Sequence, residues 1–123
     1  MVAQQAVGGE LGTARRLVDL LERDGFALDA AIWALDEEGR GRLYLVPSDR
    51  IAGEVRQTVR VAQTISRYRD ELPGRHDLLF SVVRPDHPIV QAVRSVAGPA
   101  GRVRGAYSKG TYVDEAYVIR PAA

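Results

Sequence analysis

At 123 residues the chain is long enough for one domain with its own core, and its 46% hydrophobic and 27% charged content excludes a disordered polymer. Cysteine is absent, which excludes disulfide frameworks, thiolate nucleophiles and cysteine-ligated zinc; no secretory signal pattern and no apolar run of about 18 residues occurs. Net charge is +1 but unevenly spread: residues 1–55 carry 6 Arg against 10 acids, and residues 56–123 carry 10 Arg and 1 Lys against 6, so each half complements the other in sign. A cytoplasmic protein is the expectation, with 1–9 as a flexible lead-in, 10–120 as the domain and 121–123 as a short tail.

In chain order, Leu11, Ala14, Leu17, Val18 and Leu21 recur at helical spacing from Glu10 to Asp24, with Arg15–Asp19 and Asp19–Arg23 four apart outside and Gly25 as the stop. Alternating apolar residues predict strands at about 27–36 and 42–47, joined by a turn at Glu38–Gly41. Pro47, Ser48 and Asp49 supply a strand stop and an N-cap for a long helix running to about Leu72, before Pro73 and Gly74. Residues 78–84 read as a buried strand. Asp86 then caps a short helix that admits Pro88 in its first turn, and strands at about 101–107 and 111–120 flank a turn at Ser108–Gly110. The order α-β-β-α-β-α-β-β predicts a single α+β domain with a five-stranded, largely antiparallel sheet and three helices.

Leu28, Ala30 and Ile32 share one side of the first strand and Ala31, Trp33 and Leu35 the other, so both sheet faces need cover. Three helices are expected to cover one face better than the other. An open face carrying Trp33 and Tyr44 would be an association surface, and the expectation is a homodimer formed through it.

Residues 105–117, GAYSKGTYVDEAY, crowd polar groups into one segment. A three-residue loop, Ser108–Gly110, pairs Arg104 with Asp114; a two-residue loop pairs it with Glu115. Ser108 and Lys109 are adjacent rather than three apart and no histidine is near in sequence, so the segment reads as a hairpin rather than a catalytic centre. His76–Asp77 and Asp86–His87 sit at opposite ends of the 78–84 strand, about 20 Å apart at about 3.3 Å per residue, and neither pair alone holds a zinc ion. Of the two, Asp86 and His87 at a helix start are the candidate anion or active site. GGELGT lacks phosphate-loop spacing, and GRGR and GRVRG are single arginine-glycine copies.

Arg56, Arg60, Gln63 and Arg67 fall within about 60° of one another on the long helix at about 100° per residue, away from Ile51, Val55, Val59, Ala62 and Ile65. Such a stripe could follow phosphates. It reads more readily as a solvated face, with Arg67 near Glu71, a pI of only about 8.1 and no interleaved aromatic residue.

Residues 110–120 (GTYVDEAYVIR), 84–94 (RPDHPIVQAVR) and 31–46 (AIWALDEEGRGRLYLV) resemble a family of small uncharacterised bacterial α/β proteins with a Gly-x-Tyr-aliphatic-acid-acid-Ala-Tyr closing strand. The resemblance implies no activity, cofactor or catalytic residue. The functional expectation is a non-catalytic binding or assembly module, without cofactor or metal. Its partner is a second copy or another protein, with nucleic-acid or anion binding through the basic helix face, or a small enzyme centred on Asp86 and His87, as alternatives.

Overall fold

The central strand, β1 (Leu28–Leu35), is apolar on both sides because it is buried on both sides: Ala31, Trp33 and Leu35 enter one hydrophobic cluster, Ala30, Ile32 and Ala34 a second. The structure, a computed structural model, describes residues 2–35, 38–49, 52–74, 78–96, 101–108 and 110–121. Antiparallel partners flank β1, with β2 (Gly41–Pro47) on one side and β5 (Thr111–Arg120) on the other; β3 (Phe80–Val82) and β4 (Arg102–Ser108) form the edges. The sheet order is β3-β2-β1-β5-β4, and only β2 and β3 run parallel. A parallel pair needs a crossover connection, and α2 (Glu54–Arg67) provides it. The α+β class and element order are as the sequence pattern implied.

Helix α1 (Val2–Arg23) begins at Val2 rather than Glu10. It ends in a Schellman motif: Gly25, at φ 83°, donates to the Glu22 carbonyl, and Phe26 donates to the Leu21 carbonyl. The buried Phe26 packs in the same cluster as Leu21, the contact that accompanies this cap. Leu17, Val18 and Leu21 of α1 cover the Trp33 side of the sheet together with Val61 of α2 and Leu72. The short α3 (Pro88–Val96) covers the other side, placing Ile89, Val90 and Val93 against β1, β4 and β5.

Trp33 is 0% exposed and stands 6.0 Å, centroid to centroid, from Tyr117. This corrects the expected open face carrying Trp33 and Tyr44. Trp33 pairs with Leu43, whereas Tyr44 pairs with Ile32, so the two aromatic residues lie on opposite faces, and α1 buries the tryptophan. The cause is the length of α1 and its Leu17–Leu21 face, which seals the side that the sequence pattern left open.

The closing hairpin takes the two-residue register: Ser108 opposes Thr111, Tyr107 opposes Tyr112, and Arg104 opposes Glu115. At Gly105, φ 64°, the β4–β5 pair bends without a change of register, and Val103 and Ala106, three apart, reach the α3 cluster together with their partners Ala116 and Val113. Strict alternation would have sent one of them to solvent.

Candidate interaction surface

Helix α2 carries two apolar rows. Val55, Val59 and Ala62 form one; Val61 and Ile65 form the other, continued beyond the helix by Tyr68 and Leu72. The rows lie roughly 120° apart around the helix at about 100° per residue, so a single sheet face can bury only one of them. The buried row is the second: Val61 is 0% exposed, while Val55 is 81% and Val59 50% exposed. This reverses the expectation for Val55, Val59 and Ala62, placed by the spacing on one side with Ile51 and Ile65; Ile65 packs against the core, and Ile51 lies outside the described residues.

Polar residues take the buried positions that the outer valines do not. Gln57 and Thr64 are both 4% exposed. The Gln57 side-chain amide donates to the Asp49 carbonyl at 2.6 Å, so its burial is compensated. Thr64 donates to Asp24 Oδ2 at 2.9 Å, Tyr68 donates to Asp24 Oδ1 at 3.0 Å, and the Arg67 guanidinium lies 3.0 Å from Asp24 Oδ2. Residues 64, 67 and 68 share one helical edge, so one carboxylate at the end of α1 fixes the rotation of α2. Burial raises the Asp24 pKa, but the hydrogen bonds from Thr64 and Tyr68 and the charge of Arg67 outweigh it and hold the carboxyl below its ordinary value.

The predicted basic stripe is therefore divided. Arg67 is held by Asp24 rather than by Glu71, whose partner is Arg16. Arg60 lies over the Phe26 ring at 4.9 Å. Arg56 and Gln63 are exposed, and Arg56 has no ion-pair partner among the described residues. A shallow trough of about 840 Å³ runs along Ala52, Val55, Arg56, Val59, Arg60 and Gln63. It joins at Val55 a groove of about 510 Å³ whose far wall is Val83, Arg84 and Pro85. The outer face of α2 is thus an apolar row beside guanidinium groups, opening into a groove.

Asp86 and His87 are placed differently from the expectation. His87, not Asp86, caps α3: its Nδ1 accepts from the Ile89 amide at 3.2 Å, and its carbonyl accepts from Gln91. Pro88 occupies the first helical position, where its missing N–H costs nothing. The imidazole is half-buried against Tyr44, with centroids 5.3 Å apart. Burial lowers its pKa, against opposing fields from Asp86 and Glu54. One ring nitrogen is therefore committed to structure. Neither Asp86 nor His87 lines the small cavity nearby, about 230 Å³ bounded by Ala34, Arg42, Tyr44, Leu79, Ile89 and Tyr112, which is below the roughly 300–1,000 Å³ of ordinary ligand pockets.

Tyr107, 67% exposed on the edge strand, does not line this cavity, and His76, Asp77 and Lys109 lie outside the described residues. Among the described residues no three His, Asp or Glu side chains are grouped to hold a metal ion, and no helix is long and apolar enough to cross a membrane. The surface that the sequence reading missed is the Val55–Val59 row. Its signal was the second apolar row at 61, 65, 68 and 72, which competes for the same sheet face.

Comparison with protein families, with curated proteins and with solved structures returned no match.

Proposed function

We propose that this chain is a non-catalytic binding module that engages a protein partner through the outer face of α2. The observation that carries this reading is the inversion of burial on that helix, with Val55 and Val59 in solvent while Gln57 and Thr64 are enclosed. A helix whose exposed side is more apolar than its fold requires is a common design for an interaction surface. Arg56, Arg60 and Gln63 keep the binding role expected of them, now as the rim of an apolar row rather than as a phosphate track.

Trp33 does not belong to the proposed surface. Tyr44 lines the small cavity beside α3, away from the α2 face, and is a less favoured point of association. Selection of a random peptide library on the purified chain, counter-selected on Val55→Asp/Val59→Asp, tests the reading. Enriched peptides should lose binding to the double variant while its Trp33 emission stays that of a buried indole. Peptides that bind both proteins equally would place the contact elsewhere and end this reading.

A further inference from the structure

We infer that the occupant of the α2 face is an amphipathic helix of another protein with an apolar seam flanked by carboxylates. This rests on the preceding reading that α2 is the contact surface, and adds the shape and charge of what docks there.

Shape comes from spacing. Val55, Val59 and Ala62 of α2 are separated by four and three residues, the interval at which one helix meets another along a seam. An extended segment would instead add to a strand edge, and those edges are β3 and β4 rather than this helix. From position 54 to position 63 the helical wall of the trough spans roughly 14 Å at about 1.5 Å per residue, matching about two and a half turns of a partner helix. The groove walled by Val83 and Pro85 extends the apolar contact at the N-terminal end.

Charge comes from the rim. Arg56 stands along the row, Arg60 beside it, and Arg84 across the groove; Arg56 and Arg84 have no acidic partner among the described residues, and Arg60 has only the Phe26 ring. Along the trough Arg56 and Arg60 face one carboxylate, Asp49, whose Oδ1 accepts from the Ala52 amide at 3.4 Å; Glu54 lines the groove opposite Arg84, and Asp86 follows its Pro85 wall. The guanidinium excess calls for carboxylates from outside. A second copy would instead bring Arg56 and Arg60 of both chains into one interface against no more acid than Asp49 and Glu54 of each. Nucleic acid fits less well, because the centre of the surface is aliphatic, has no aromatic residue for a base to stack on, and has lost Arg67 to Asp24.

The peptides enriched on the wild-type chain and lost on Val55→Asp/Val59→Asp are sequenced, resynthesised with a fluorophore and titrated by anisotropy. The expected result is a net negative composition with apolar residues three and four apart. Affinity should fall at least about tenfold on Arg56→Glu/Arg60→Glu, and should return when the peptide acids are changed to lysine. Valine-dependent peptides that are neutral or basic, or indifferent to the arginine swap, would overturn the acidic helix while leaving α2 as the contact surface. Peptides indifferent to the valine variant would overturn both. Sedimentation showing a dimer that Val59→Asp dissociates would assign the face to a second copy and overturn this occupant.

Discussion

Truncating the same side chain at three points of α2 reads out its rotation directly. Val61→Ala removes two methyl groups from a site with 0% exposure. Transfer of about 0.8 kcal/mol per methylene-sized group gives about 1.6 kcal/mol, and the residual cavity raises this to roughly 2–3 kcal/mol. The better helix propensity of alanine returns about 0.5 kcal/mol, leaving a net loss of about 2 kcal/mol. Val59, at 50% exposure, loses only about half the transfer energy, which alanine propensity nearly cancels. Val55, at 81%, has almost nothing to lose, so Val55→Ala should be neutral or stabilising by a few tenths of a kcal/mol. Urea unfolding followed by the emission of Trp33, the single tryptophan, provides the assay, with midpoints compared at constant m. If Val55→Ala or Val59→Ala destabilised as much as Val61→Ala, α2 would be rotated the other way and the proposed surface would be its buried side.

Gly41→Ala should destabilise by about 1–3 kcal/mol, because an added Cβ would lie 2.8 Å from Trp33 Cε2, closer still to Cζ2, and 2.7 Å from Glu10 Oε2; Trp33→Phe in the same chain should recover part of that loss in a double-mutant cycle. The Glu115 carboxyl is held below its ordinary value by the Tyr117 hydroxyl and by Arg102, with burial opposing. Its stabilisation is present above the unfolded carboxyl range and is lost as pH falls through the lower folded value, so Tyr117→Phe should flatten the acid limb of thermal stability. The His87 pKa is lowered by burial, so its contribution is complete above the ordinary histidine value of 6.5 and is lost on acidification. His87→Asn retains a capping acceptor and should remove that part of the pH dependence, whereas an unchanged profile would show that His87 is not the titrating group.

Much of the architecture is legible because it depends on short-range periodicity. Both faces of β1 announce burial through Ala30, Ile32 and Ala34 opposed to Ala31, Trp33 and Leu35, and Gly25 marks the end of α1 through the left-handed conformation it adopts. The ion pairs behave differently. Local spacing pairs Asp19 with Arg15 or Arg23 and Arg67 with Glu71, yet the structure joins Asp19 and Glu22 to Arg120 of β5, Arg67 to Asp24, and Glu71 to Arg16. Each preferred partner arrives from another element. The i, i+4 attraction is worth only a few tenths of a kcal/mol, which tertiary placement readily overrides. Arg102 rather than the directly opposed Arg104 holds Glu115: the two arginines are two apart on one strand and share a face, and Arg102 reaches the carboxylate diagonally from its place opposite Tyr117.

By itself, the sequence determined the order and approximate place of the helices and strands and that the sheet must be covered on both sides, because those properties follow from backbone preference and apolar spacing within a dozen residues; the ends of α1, α2 and β3 did not follow from it. Only the tertiary structure decided which apolar row of α2 turns inward. That choice is made between two nearly equal candidates by contacts from distant segments, the Asp24 carboxylate at residues 64, 67 and 68 and the Asp49 carbonyl at Gln57. The surface proposed to bind is what that choice leaves outside.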